Sequence, residues 1–88
     1  MAQTGIPQET LDINSRFFQA VDYLVSTKKI KGLKTLSTQW GVSRFSLTWS
    51  KNHPEEKRLK IEYIYYIVRD YNISLNWLFF GEGEMLSI

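Results

Sequence analysis

The chain contains no cysteine and only one histidine among its 88 residues. The absence of cysteine excludes both a disulfide framework and the thiolate ligands of a zinc finger. A single histidine cannot complete a Cys/His metal site, and His53 in its Asn-His-Pro context is interpreted as an exposed helix stop without a functional role. We therefore expect neither a metal nor any other cofactor.

Long hydrophobic runs are also absent. No stretch approaches the roughly 18 apolar residues that span a bilayer, and the N-terminus lacks the basic and apolar regions of a secretory signal. We expect a cytoplasmic protein with no membrane partner. The hydrophobic fraction of 43% is sufficient for one packed domain, predicted over residues 12–88 and preceded by a flexible arm of residues 1–11.

No pattern in the chain indicates catalysis. The acidic residues are scattered over different predicted elements, without an activating partner nearby. The run from Gly81 to Glu84 has two glycines one residue apart, but no strand precedes it and its carboxylates would repel phosphates. We expect a binding protein rather than an enzyme, with no small-molecule substrate.

Positive charge is concentrated in the middle of the chain. Residues 27–60 hold nine lysines and arginines but only two glutamates, whereas both flanking segments are acidic. The overall net charge of +2 hides this distribution. A focused basic segment is typical of a phosphate-binding surface, although charge runs are also typical of ordinary solvated surface.

The segment LKTLSTQWGVSRFSLTW, residues 33–49, has the spacing of two short helices joined by a tight turn. Leu33, Leu36 and Trp40 recur on one helical stripe. Gly41 can adopt the left-handed conformation that ends a helix, with the following valine packed under the corner. Ser43 can then cap a second helix through its hydroxyl.

The second helix of this corner has a competing interpretation. Phe45, Leu47 and Trp49 alternate with polar residues, which taken alone is typical of a half-buried strand. The segment is short, has no partner strand, and lies between Ser43 and the stop at residues 52–54, so we predict a helix with Leu47 in the core.

Three further helices are predicted. The first begins at an Asn14 cap, with Ile13 and Phe18 as a hydrophobic staple, and ends near Ser26. The fourth follows residue 58, and the fifth is capped by Ser74, has Ile73 and Leu78 as a staple and Trp77 in the core, and ends at Gly81. The buried stripes are Phe17, Val21, Leu24 and Val25 in the first helix, and Ile61, Ile64, Ile67, Val68 and Tyr71 in the fourth.

The corner resembles the helix-turn-helix of phage-repressor and Cro-like regulators, the XRE family. The ending SLNWLFFGEGEML, residues 74–86, is similar to the last helix and closing turn of a small-regulator subgroup in that family. The resemblance covers roughly residues 13–86 and implies an all-α, compact five-helix domain with the helix-turn-helix at helices 2 and 3. The chain departs from the family pattern at Ser37 and Ser50, which replace an alanine-like and an aliphatic residue.

The resemblance implies a repressor-like transcriptional regulator that binds double-stranded DNA through helix 3 in the major groove. It places Arg44 where family members contact base edges, and a guanidinium can bind O6 and N7 of guanine. The other DNA-binding residues predicted on helix 3 are Ser43, Phe45, Thr48 and Lys51. The charge pattern, rather than the resemblance, assigns phosphate contacts to Lys28, Lys29, Lys31 and Lys34 before and within helix 2. Phe45 could contact thymine methyl groups, or it could turn into the core.

Two other functions remain open from the sequence. The same fold could serve as a protein–protein interaction module that binds through helix 4, or as the regulatory partner of a toxin–antitoxin or phage-immunity pair, which binds both DNA and protein. The apolar residues of helix 4 and the chain end exceed what so small a domain buries, which favours a homodimer, although they could instead cover the core of a monomer. They are Tyr63, Tyr65, Tyr66, Phe79, Phe80, Leu86 and Ile88.

Overall fold

Five α-helices account for most of residues 5–87, the part of the chain described by the computed structural model. They are α1 (Gln8–Ser26), α2 (Leu33–Trp40), α3 (Arg44–Asn52), α4 (Ile61–Tyr71) and α5 (Leu75–Phe80). The predicted all-α class is confirmed. Residues 1–4 of the predicted arm and Ile88 of the predicted apolar surface lie outside the described residues.

Helix α1 begins at Gln8 and not near Ile13, so the predicted start is wrong. Pro7 precedes the helix with φ −64°, and its carbonyl accepts hydrogen bonds from two N–H groups of the first turn. That turn lies in the segment predicted as a flexible arm. Asn14 is buried in the middle of α1 instead of capping it, and the predicted staple to Phe18 therefore lies within the helix.

The hydrophobic core receives side chains from all five helices. Helix α1 packs against α3 and α5, and α2 packs against α3. The buried apolar residues are Phe17, Phe18, Ala20, Val21, Leu24, Ile30, Leu36, Trp40, Leu47, Tyr63, Ile64, Ile67, Ile73 and Leu78. Val25 was expected among them but is exposed, near the end of α1.

Helix α4 is rotated relative to its predicted apolar stripe. Ile64 and Ile67 are buried as expected, but Ile61 is 68% exposed and Tyr63 is only 1% exposed. Tyr63 can lie in the core because its hydroxyl donates a hydrogen bond to Oγ of Ser46 on α3, at 3.2 Å. The predictions that Ile61 is buried and that Tyr63 belongs to an apolar surface are therefore wrong.

Helix α5 begins and ends as predicted. Oγ of Ser74 accepts a hydrogen bond from the N–H of Trp77 at 3.2 Å, and Gly81 ends the helix with φ +69°. Ile73 and Leu78 are both fully buried, as the predicted staple requires. Trp77 is only partly buried at the edge of the core.

The chain end folds back onto the link between α4 and α5. Ile73 and Leu86 form an isolated antiparallel bridge, and the N–H of Ser87 donates a hydrogen bond to the carbonyl of Asn72 at 2.8 Å. Within residues 5–87, no helix has both the length and the apolar character required to cross a bilayer.

Candidate functional site

Helices α2 and α3 meet at a corner of three residues. Gly41 adopts the left-handed conformation, with φ +67° and ψ +35°, and ends α2 as predicted. The N–H groups of Gly41 and Val42 both donate to the carbonyl of Ser37, so the last turn of α2 is closed by backbone hydrogen bonds. Val42 packs against the core, as expected for the residue beneath the corner.

Ser43 starts α3 in the predicted way. Its backbone is extended, and its Oγ accepts a hydrogen bond from the N–H of Ser46 at 3.1 Å. The segment that follows is helical through Asn52, so the strand interpretation is wrong. Local capping and the lack of a partner strand outweigh the alternating pattern.

The inner side of α3 is fixed by polar contacts as well as by apolar packing. Leu47 is fully buried, as predicted, and Ser46 receives the hydrogen bond from Tyr63 on α4. Asn14 of α1 donates through Nδ2 to the carbonyl of Ser50 at 3.3 Å. Because these partners lie on two other helices, they fix the rotation of α3 about its axis.

The outer side of α3 carries the residues that the sequence assigns to a binding surface. Ser43, Arg44 and Lys51 are exposed, Thr48 is half-buried, and Phe45 is 72% exposed. Exposure decides between the two interpretations of Phe45, since the ring does not turn into the core. Within residues 5–87, neither Arg44 nor Lys51 makes an ion pair.

The four lysines assigned to phosphate contacts are all exposed, but they do not line one surface. Lys31 and Lys34 line a groove of about 510 Å³ on α2. Lys28 lines a second groove with Lys31, whereas Lys29 lines a third beside Tyr71 at the end of α4. No residue of α3 lines these three grooves. Lys31 shares one groove with Lys34 and another with Lys28, whereas Lys29 lines a separate groove.

Sequence reasoning missed a network that attaches α2 to α4. Nε1 of Trp40 and Nε2 of Gln39 donate to Oδ2 of Asp70, at 2.9 and 3.1 Å. Arg69 donates to the other carboxylate oxygen at 2.6 Å, and Tyr71 donates to Oε1 of Gln39 at 2.6 Å. The hydrogen bond from Arg69, followed by the one from Trp40, lowers the pKa of Asp70 below its usual value despite partial burial. No local motif in the sequence indicates this network.

A second missed contact joins α1 to the end of α5. Arg16 donates through Nε to the carbonyl of Leu78 at 2.7 Å and through Nη2 to that of Phe79 at 3.0 Å. The last carbonyls of a helix lack intrahelical partners and carry partial negative charge, so a guanidinium is well suited to them. Arg16 thus holds α5 in place from 62 residues away in the sequence.

The loop after α3 contains three groups close enough to share a cation. One ligand atom each of His53, Glu55 and Glu56 lies within 4.8 Å of the others. Both glutamates are exposed, and the His53 ring packs on Trp49 with centroids 4.2 Å apart. Exposed carboxylates commonly come this close without binding an ion, and we assign no metal to this loop.

No protein-family model, curated protein or solved structure matches the chain.

Proposed function

We propose that this protein is a sequence-specific regulator of transcription that binds double-stranded DNA and has no catalytic activity. In this proposal α2 and α3 form a helix-turn-helix of the phage-repressor (XRE) type, and α3 enters the major groove. The observation that carries the proposal is the corner itself. Gly41 ends α2, Ser43 caps α3, and α3 is fixed on its inner side, whereas Arg44 and Lys51 on its outer side make no ion pair with the residues that the structure describes.

Charge supports a nucleic acid as the partner. The basic middle segment of the chain contains both helices of the corner. In the described part of the chain, the ammonium groups of Lys28, Lys31 and Lys34 form no ion pair, so they are available to phosphates. Phosphate contacts would supply most of the affinity, and base contacts from α3 would supply selectivity.

The salt dependence of binding tests this proposal. If six lysines and arginines contact phosphates, log K should fall against log salt concentration with a slope of roughly −5. Fluorescence anisotropy with a labelled random duplex, between about 50 and 200 mM salt, measures the slope. A Lys31→Ala/Lys34→Ala variant should reduce its magnitude by about 2. A slope near zero, or no binding to any duplex at low salt, would refute DNA binding.

A second candidate function is protein interaction through a groove between α4 and α5. The groove has a volume of about 310 Å³ and a mainly apolar lining. Ile61, Tyr65 and Leu75 contribute to the lining and are more than half exposed. We propose that a second copy of the chain occupies it, so that a twofold dimer places two α3 helices on half-sites roughly 10 base pairs apart.

Sedimentation with and without a duplex selected from random DNA tests the dimer. We expect two copies per duplex and a selected site that is an inverted repeat. Leu75→Ser should weaken the dimer, whereas Val25→Ser should not, because Val25 is an exposed apolar residue of α1 outside this groove. A one-to-one complex on a site without inverted symmetry would contradict the dimer. It would leave a monomer in which these apolar side chains cover the core.

A further inference from the structure

Three rings form a continuous row along α3. The ring centroids of Phe45 and Trp49 are 5.7 Å apart, and those of Trp49 and His53 are 4.2 Å apart. The spacing of four residues places successive rings on the same side of the helix. We call Phe45, Trp49 and His53 the aromatic row.

Packing in the core does not explain the exposed end of this row. The inner side of α3 is formed by Ser46, Leu47 and Ser50, whereas Phe45 is 72% exposed. Trp49 is partly buried and lies against the Phe45 ring, so it restricts the rotation of that ring. The result is an apolar surface that is ordered and accessible at the N-terminal end of α3.

A polar stripe runs beside the aromatic row. Arg44 and Thr48 are four residues apart and immediately precede Phe45 and Trp49, respectively. Lys51 lies about one helical turn after Thr48. This placement puts two exposed side chains of different chemistry, Arg44 and Phe45, at consecutive positions at the N-terminal end of α3. Base edges in the major groove offer a matching combination, because guanine presents two acceptors to arginine and thymine presents a methyl group.

We propose that Phe45, positioned by Trp49, contacts the 5-methyl group of a thymine in the major groove. The sites of this protein then carry thymine at the base pair opposite Phe45. This inference rests on the proposed binding of duplex DNA by α3. It adds a specificity-determining residue, Phe45, and a positioning residue, Trp49.

The geometry of the row disfavours the stacking of unpaired bases between its rings. Platforms for single-stranded nucleic acid offer free ring faces on which bases stack. In the aromatic row, Trp49 lies between two other rings, at interplanar angles of 33° to Phe45 and 31° to His53. Phe45 is the most exposed ring of the aromatic row, and its exposed surface suits a methyl group.

Replacement of thymine by uracil tests the inference, because it removes the methyl group and keeps the base pair. The probe is the tightest duplex recovered by selection from random DNA, synthesised with uracil in place of each thymine in turn. At one position, uracil should weaken wild-type binding about fourfold, the effect of removing roughly one buried methyl group. The Phe45→Ala variant should bind the thymine and uracil duplexes equally.

Two variants separate positioning by Trp49 from a structural role. Trp49→Ala should lose the discrimination between thymine and uracil, and Trp49→Phe should recover it, at unchanged helicity by circular dichroism. Val25→Ala is the control and should keep the discrimination, since Val25 is an exposed apolar residue of α1 outside both the aromatic row and the groove between α4 and α5.

Three results would overturn the inference. Equal wild-type binding of thymine and uracil duplexes at every position would reject Phe45 as a methyl contact and leave the proposed function standing. Tighter binding of single-stranded DNA that is lost in Phe45→Ala would make the aromatic row a stacking platform. Absence of binding to any duplex would reject the inference together with the proposed function.

Discussion

The indole N–H of Trp40 donates a hydrogen bond to the carboxylate of Asp70 at 2.9 Å and thereby joins the last residue of α2 to α4. Trp40 also packs on Tyr66 of α4, with ring centroids 5.3 Å apart. The α2–α3 turn starts at the next residue, Gly41. Asp70 therefore fixes the end of α2 beside the corner, although it lies on another helix, α4.

The Asp70 network should make the stability of the fold depend on pH. Because the pKa of Asp70 is lower in the folded state than in the unfolded state, ionised Asp70 stabilises the fold above its unfolded pKa of 3.8. This stabilisation is lost as the pH falls below that value. At pH 7, Asp70→Asn should lower the free energy of unfolding by about 1 kcal/mol. The expected loss is small because solvent weakens the interactions of a partly exposed carboxylate.

Urea unfolding at pH 7 and pH 3 measures this effect. The difference between wild type and Asp70→Asn should narrow at pH 3, because the stabilisation from ionised Asp70 declines below its unfolded pKa. Glu84→Gln is the control, because Glu84 is exposed and makes no hydrogen bond within the described residues. A difference that is the same at both pH values would show that ionised Asp70 contributes nothing.

Gly81→Ala should destabilise the protein more than Gly41→Ala does. Both glycines end a helix in the left-handed conformation, with φ +69° and +67°, where a Cβ costs about 1 kcal/mol. A Cβ at Gly81 would also lie 3.2 Å from Nη1 of Arg16, whereas a Cβ at Gly41 would meet no atom of residues 5–87 within 4 Å. Displacement of Arg16 would weaken its two hydrogen bonds to α5, so the extra loss should be about 1 kcal/mol.

A double-mutant cycle identifies the source of that extra loss. In the Arg16→Ala background, Gly81→Ala and Gly41→Ala should have equal effects on the free energy of unfolding. If the extra loss at Gly81 persisted without the arginine side chain, the contact with Arg16 would not be its cause.

Ser50→Ala should stabilise the protein by about 1 kcal/mol. Ser50 is fully buried, and its Oγ has no hydrogen-bond partner within the described residues, which is unfavourable for a polar atom. The backbone contact with Asn14 would be kept, because it uses the Ser50 carbonyl. Thermal unfolding followed by circular dichroism is the measurement.

Ser37→Ala is the matched control for this change. Ser37 also lies within a helix, so its substitution brings the same gain in helix propensity from alanine. It differs in that Oγ of Ser37 donates a hydrogen bond to the carbonyl of Lys34 at 2.9 Å, and Ser37→Ala removes that bond. Destabilisation by Ser50→Ala would mean that the hydroxyl has a favourable role at this position.

The sequence predicts the corner well because its determinants are local. Gly41 and Ser43 each act on residues within one turn, so their roles follow from neighbouring letters. The contacts of Arg16 with α5 and of Trp40 with Asp70 link residues 62 and 30 positions apart, and no local pattern specifies such pairs. The burial of Tyr63 likewise depends on its partner Ser46, on another helix.

In the candidate site too, some features follow from the local sequence and others depend on contacts with distant residues. Helical spacing predicts which side of α3 carries Arg44, Thr48 and Lys51. It cannot decide whether Phe45 turns inward, because the answer depends on the ring of Trp49 and on the rotation of α3 against its neighbours. The separation of Lys29 from Lys31 depends on the path of the link between α1 and α2, which the charge pattern does not encode.

Arg44→Ala should reduce selectivity for the preferred DNA site. Arg44 is exposed on the outer side of α3 and makes no ion pair within residues 5–87, so its guanidinium is available for bidentate contact with guanine. Its loss should weaken binding to the selected duplex by about 1 to 3 kcal/mol and change binding to random DNA little. Lys31→Ala is the comparison, because loss of a phosphate contact should weaken binding to both duplexes alike. Anisotropy titrations with both duplexes at one salt concentration provide the test, and equal losses for Arg44→Ala would assign Arg44 to the phosphate backbone instead.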